Sequence, residues 1–306
     1  MIRSYIQVSR KAWHYSTQAY ESHPGERKKV KRHLRWAALA VLREASVHGW
    51  FSFLDDPVFR PFVVANPRLA FRPMGTYMSR RWGWSRRFKV IRDTYIFANA
   101  KGGVFQGSLL REEGLLLARI PLDKIGTMNL RMRADAQFRK EGEIGVFLEI
   151  DDIPGAISSF AYSLERHPSG WSCYVGALQG RKGGDEETIK VATKAMHGLR
   201  PKALMVFVAQ EITRSLRVSS LLGIGNDIHV ARGRVLGPAK KILFDYDELW
   251  LEAGGARQPD GWYQLPLKSP RRSGEEIKPN KRSMYAKRYL LMDALSRQIR
   301  TVLTAS

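Results

Sequence analysis

The stretch from Trp171 to Asn226 constrains the fold most, because it spells out a run of elements with its own start and stop signals. Trp171 to Gln179 reads as a strand, and Gly180-Arg181-Lys182-Gly183-Gly184 reads as a glycine-rich basic turn. Asp185 is placed to cap a helix that runs to His197, with acids in its first turn. Gly198 ends that helix. Pro201 starts a second one at the position proline suits best, and Leu204, Phe207, Val208 and Ile212 mark its apolar face. Ser219 to Gly225 reads as a further strand, followed by Asn226.

Around this centre the pattern predicts an α+β protein in three parts. Residues 1–102 form a helical N-terminal region, residues 103–270 an α/β core, and residues 271–306 a linker and a C-terminal helix packed on the core. In the first part Leu34, Val41, Leu42 and Ala45 fall near helical spacing among basic residues. Such a face packs on its own domain or lies on a surface, and the first is the more common outcome. In the core, Val104 to Gln106, Leu115 to Ile120, Ile144 to Ile150 and Ala156 to Leu164 read as extended runs, with Asp151 to Gly155 as a turn. They predict a mostly antiparallel meander leading into Trp171. Leu290, Leu291, Leu295 and Ile299 give the closing helix, Arg282 to Leu303, its apolar stripe.

Chemistry can be sought at three places. A helix start offers free backbone N–H groups and a positive dipole end, where anions settle. Gly198, Arg200 and Lys202 gather at the start of the second helix, and Gly180, Arg181, Lys182 and Gly183 form a second candidate anion nest. The bland readings are a simple chain reversal and an arginine paired with a carboxylate. Gln179, closing a strand before the glycine turn, could donate to a substrate carbonyl or simply tie the turn together, and Asn226, at the end of the other strand, joins the candidate donor-binding residues. Asp245 and Asp247, with Tyr246 between them, could supply an acid and a base; they read equally well as a helix cap followed by dipole-favoured acids. His229 is a third acid/base candidate, although a lone histidine is more often structural. No second histidine stands at metal-ligand spacing, so no metal site is expected.

The formal net charge of +22 speaks to partners rather than to fold. RNA, an acyl carrier, an anionic membrane surface or a phosphate-bearing donor would all be drawn to such a field. Residues 60–101 hold ten Lys or Arg and one acid, interleaved with Tyr77, Trp82, Trp84, Phe88, Tyr95 and Phe97. Exposed rings in that setting could stack bases; as a helix, Arg86 to Phe97 would bury them instead. The single cysteine, Cys173, excludes an intrachain disulfide and any cysteine-based zinc site, and its apolar neighbours predict a buried thiol. No apolar run nears the ~20 residues of a membrane span. A cytoplasmic protein is the expectation.

Two resemblances add to this reading. The order strand, basic glycine turn, helix, strand over Trp171 to Asn226 resembles the core of the GCN5-related N-acyltransferase fold. The turn lacks that family's R/Q-x-x-G-x-G/A signature, and Asp185 to His197 is an extra helix. More specifically, Lys140-Glu141-Gly142, Val175 to Gly180, Thr193 to Lys202, Gly223 to Val230, Asp245 to Trp250 and Gly261 to Pro266, in this order, resemble the VirK/YbjX family of bacterial proteins. Arg92-Asp93-Thr94-Tyr95 departs from the His-Tyr pair that resemblance leads one to expect. The family's association with virulence and with envelope or antimicrobial-peptide stress is implied, with no reaction attached. Together these readings lead to a transferase-like protein using an acyl or aminoacyl donor that carries phosphate. The alternative is a non-enzymatic basic adaptor.

Overall fold

The computed structural model describes residues 2–21, 26–181, 183, 186–232 and 245–305. Helices α1 (Ile2–Tyr20), α2 (Glu26–Leu42), α3 (Glu44–Asp55) and α4 (Arg60–Ala65) open the chain, followed by the short helical turn Pro67–Met74, α5 (Trp84–Lys101) and α6 (Gly103–Leu110). The sheet strands are β1 (Leu115–Pro121), β2 (Thr127–Arg133), β3 (Ile144–Ile150), β4 (Ile153–His167) and β5 (Gly170–Gly180). After α7 (Glu186–Ala195) and α8 (Pro201–Ser215) come β6 (Ser220–Ile224), α9 (Tyr246–Glu252), β7 (Ala256–Arg257), β8 (Trp262–Leu265) and α10 (Arg282–Thr304).

The strands form one sheet in the order β1-β2-β3-β4-β5-β6-β8-β7. Every neighbouring pair is antiparallel except β5 and β6, which run parallel and are joined through α7 and α8. The expected class therefore holds: helices first, a mixed and mostly antiparallel sheet, flanking helices and a closing helix. Three details differ. Val104 to Gln106 lies in α6 rather than a strand, because Phe105, Ser108 and Leu109 bury one helical face, which overrides the poor helix propensity of Val104 and Gly107. Strand β2 escaped notice because Asn129, Arg131 and Arg133 break its apolar run, although Met128, Leu130 and Met132 alternate with them into the core. Short β7 and β8 carry too few residues to show a period.

The main core fills one face of the sheet. Ile144, Val146, Leu148 and Ile150 point into it from β3, while Phe147 joins a small second cluster with Phe138, Ala161 and Ala177. Helix α10 packs on α8 and β1. Helix α5 has a distinct task. Beyond the Ile144↔Tyr162 pair, β4 has no β3 partner, and α5 supplies one. Leu164 N–H donates to Thr94 Oγ1 at 2.9 Å and Arg166 N–H to Asp93 Oδ2 at 3.1 Å. These bonds satisfy a strand edge that would otherwise be open. Asp93, at the departure from the family pattern, thus serves β4.

The rings of residues 60–101 face inward: Tyr77, Trp82, Phe88, Tyr95 and Phe97 are all buried. Base stacking on those five rings is therefore ruled out, and the core reading of α5 stands. In α2 the outcome is reversed. His33 and Ala40 are the buried positions, whereas Leu34, Val41 and Leu42 are 60%, 38% and 74% exposed.

Candidate functional site

Parallel pairing of β5 with β6 runs from Ser172↔Ser220 to Val175↔Gly223 and stops there. Strand β5 continues to Gly180 against β4, with an irregularity at Gly176, and β6 continues to Ile224 against β8. The two strands therefore part company after Val175, leaving backbone groups of Gly176 to Gly180 without a strand on that side. Gly176 suits the irregularity because an added Cβ would lie 2.1 Å from the Glu141 carbonyl oxygen.

What occupies the gap comes from the end of β6. Asn226 N–H donates to Asp247 Oδ1 at 2.8 Å, Asn226 Nδ2 donates to Asp245 Oδ1 at 2.6 Å, and Tyr246 N–H donates to Asn226 Oδ1 at 2.9 Å. This closed set of bonds fixes the start of α9 on the end of β6. Asp245 caps the helix by accepting from Glu248 N–H at 3.1 Å, and its carboxyl is held below the usual range by that backbone N–H and by Asn226. Tyr246 then reaches across the gap, where its hydroxyl oxygen meets the Leu178 backbone N–H. Burial pushes that phenol well up, so it stays protonated at ordinary pH.

His229 stacks on Tyr246, with ring centroids 5.2 Å apart. Its Nδ1 accepts from Ala231 N–H at 3.0 Å, which puts the ring proton on Nε2. Nε2 is buried beside the Gly176 backbone without a well-aligned hydrogen bond among the described residues. Burial lowers the imidazole to about 4, so it is neutral at physiological pH. As placed, His229 offers a donor rather than a free basic lone pair.

Of the basic candidates, Lys202 stands at the other rim of the gap. An added Cβ on Gly180 would lie 3.2 Å from Lys202 Cε and 3.9 Å from its ammonium nitrogen. Burial lowers the Lys202 ammonium, as desolvation of a cation must. Arg200 stands at the cap position of α8 and makes no side-chain cap bond, and the first turn of α8 holds no acid. Gly198 needs its φ of +76° to turn the chain, and the space a side chain would take is filled by Arg288, whose Nε and Nη2 both donate to the His197 carbonyl at 3.1 Å. Arg181 is directed away, with Nη1 donating to the Pro154 carbonyl at 2.6 Å. Gly183 lies in the turn with φ +93°, while Lys182, Gly184 and Asp185 fall outside the described residues. Gln179 is the penultimate residue of β5 and half-buried, its carbonyl accepting from Ser158 Oγ at 2.8 Å.

Sequence reasoning missed Glu141. It is half-buried, its carboxyl is raised by that burial, and it interacts electrostatically with Tyr246. The Lys140-Glu141-Gly142 run was its only trace in the chain, and the folding of that run against Gly176 could not be read from spacing. Asp245, Asp247, Asn226 and His229 are thus gathered at one end of the gap, and Gly180 and Lys202 meet at its basic rim, with Arg200 at the cap of α8. No group of three or more His, Cys, Asp or Glu able to hold a metal occurs among the described residues.

The family described as "Protein of unknown function (DUF535)" matches residues 25–301. The chain belongs to that family. Relatives of the DUF535 chain include the uncharacterized protein YbjX of Escherichia coli, 27% identical over 83% of this chain and 78% of that protein. An uncharacterized Haemophilus influenzae protein is 28% identical over 94% of both chains. A Mannheimia haemolytica protein named membrane protein LapB is 24% identical over 69% of this chain and 87% of its own. No solved structure matches. These relatives bear out the VirK/YbjX resemblance. No helix among the described residues is long and apolar enough to cross a membrane.

Proposed function

We propose that this DUF535 protein is a transferase of the N-acyltransferase type that takes a phosphate-bearing acyl or aminoacyl donor at the rim formed by Gly180 and the start of α8. One observation carries the reading: parallel pairing of β5 and β6 ends at Val175↔Gly223, and Lys202 and the open N-terminus of α8 stand at the side where the strands diverge. Backbone N–H groups of the first α8 turn, Arg200 and Lys202 would hold the donor's phosphate. Glu141, whose carboxyl is raised by burial and which interacts with Tyr246, would be the general base; Asp247, Asp245 and His229 would position the Tyr246 ring, and Gln179 would donate to a substrate carbonyl. The test is calorimetric titration with coenzyme A and acetyl-coenzyme A. Arg200→Ala and Lys202→Ala are expected to weaken binding about tenfold each with unchanged melting temperature. Equal affinity in both variants, or no binding by the parent, overturns the proposal.

A second reading, the basic adaptor in virulence or envelope stress, is favoured by the +22 charge alone. It expects affinity for RNA or anionic vesicles that collapses between 50 and 200 mM salt, roughly as counterion release dictates.

A further inference from the structure

A second concavity shares no lining residue with the β5–β6 gap, although its Lys140 directly precedes Glu141. It is a cleft of about 980 Å³ between α2, the Pro67–Met74 turn, the loop after α6 and the Ala134–Lys140 segment. Arg32, Arg35, Arg68, Arg111, Arg139 and Lys140 line it, and none of the six pairs with a carboxylate among the described residues. A seventh cation, Arg72, is neutralised by Glu143 behind the wall, with Nη1 to Oε2 at 2.5 Å. Of the two acids in the lining, Asp135 is committed to Arg133 at 3.5 Å and to Gln137 N–H at 2.9 Å, so six cations are offset only by Glu112 and by the half-buried Glu141 behind Arg139 and Lys140.

Six like charges around one depression repel one another and focus a positive field, and an anion with several charges removes that conflict. Five of the six are arginines, whose planar guanidinium forks match phosphate oxygens. The volume is at the upper end of small-molecule pockets, roughly 300–1,000 Å³, so it has room for more than a single phosphate ion.

Two macromolecular occupants fit less well. Base stacking needs bare ring faces, and here the rings are covered. Arg32 sits 4.7 Å from the Tyr20 centroid and Arg68 5.9 Å, while Trp36 is stacked on Phe71 at 4.8 Å and flanked by Arg35 at 5.4 Å. A bilayer would engage the exposed apolar stripe Val30, Leu34 and Val41 on α2. At about 100° per residue, those three residues lie roughly 150° around the helix from Arg32 and Arg35, so lipid contact through them would turn the cleft away, and Leu42 at the helix end is the single exposed large apolar residue of α2 on the cleft's side.

We infer that this cleft is a binding site for a soluble small molecule carrying two or more phosphate groups. The probe is inorganic tripolyphosphate, titrated calorimetrically into the full chain, with oligouridylate RNA and phosphatidylglycerol vesicles in parallel. Saturable tripolyphosphate binding is expected. Arg35→Ala and Arg139→Ala should each weaken it about tenfold or more, the scale of one charge-assisted contact. Lys287→Ala, on the exposed face of α10, should leave it unchanged, and all three variants should melt with the parent. Arg35→Gln serves as the second variant at that position should Arg35→Ala melt early. Absence of saturable binding, full affinity in the Arg35 and Arg139 variants, or tighter binding of RNA or vesicles than of tripolyphosphate overturns the inference.

Discussion

Replacing Glu143 by alanine should destabilise the protein by about 3–5 kcal/mol, and the geometry sets both the size and the cause. The carboxylate is 1% exposed and Arg72 is 8% exposed on its side chain. Glu143 Oε2 accepts from Arg72 Nη1 at 2.5 Å and from Tyr95 Oη at 2.7 Å. The Glu143 backbone N–H donates to Ser163 Oγ at 3.0 Å, and that hydroxyl meets Tyr77 Oη at 2.6 Å. The cluster thus ties the Pro67–Met74 turn, α5, β3 and β4 together around one buried charge. Removing the carboxylate strands a guanidinium in the core and leaves a phenol without its acceptor. The cost is dominated by that orphaned cation, since a buried pair that is left intact contributes little net stability.

The assay is urea unfolding at neutral pH with parallel thermal melts. Tyr95→Phe removes one hydrogen bond to a charged acceptor and should cost about 1.5–3 kcal/mol, less than Glu143→Ala. The decisive variant is the double change Arg72→Met with Glu143→Leu. It removes both charges at similar volume and should recover most of the single-mutant loss. Should the double variant be no more stable than Glu143→Ala, the orphaned-charge reasoning is refuted and the loss belongs to packing.

Three further outcomes follow from single sites. His229 is held near 4 in the fold against 6.5 for the free side chain, so the unfolded chain binds the extra proton between those values. Its contribution is present above pH 6.5 and is lost as pH falls toward 4, by about 3 kcal/mol; His229→Gln should flatten that limb of the urea-midpoint profile, and an unchanged limb refutes the assignment. Cys173 is buried and its thiol is pushed up to about 12, so native protein at pH 8 should resist Ellman's reagent until urea unfolds it. Prompt native labelling would contradict that. Gly223→Ala would set a Cβ 2.4 Å from the Trp250 ring, whose Nε1 donates to the Ile224 carbonyl at 2.8 Å. A loss of about 1–3 kcal/mol with altered near-ultraviolet dichroism is expected, and wild-type stability would show that the ring has room to move.

Much of the fold was legible because local rules and tertiary packing agree. Pro201 starts α8 where its missing N–H costs nothing, and Gly198 turns the chain at positive φ, so both α8 and the end of the preceding helix could be placed from single residues. Strand β3 showed itself by a solid apolar run. Strand β2 did not, since its outward face carries Arg131 and Arg133, which pair with Glu149 across the sheet at 3.4 and 3.2 Å. Charges that look like loop residues in the chain are cross-strand partners in the sheet, and only the register reveals it.

The same limit explains what was found and missed in the gap between β5 and β6. Asn226, Asp245 and Asp247 were visible because capping chemistry is local, a matter of residue type at one or two positions. Glu141 was invisible, because its place beside Tyr246 depends on Met78 N–H donating to the Lys140 carbonyl at 2.6 Å and on Gly176 leaving room for the Glu141 backbone. The basic cleft is a stronger instance. Arg32, Arg68, Arg111 and Arg139 come from four separate segments, and each alone is an ordinary surface arginine. Composition gave the sum of the charge, and a count cannot say whether charges are spread or gathered. Gathering them in one depression, with Arg72 already neutralised by Glu143, is work done by the packing of α2 and the Pro67–Met74 turn near the sheet. The stability of the Glu143 cluster and the shape of the cleft are therefore linked. A variant that strands Arg72 leaves a seventh uncompensated cation in the lining, and should tighten tripolyphosphate binding wherever the fold is retained, in a protein whose α8 rim is untouched.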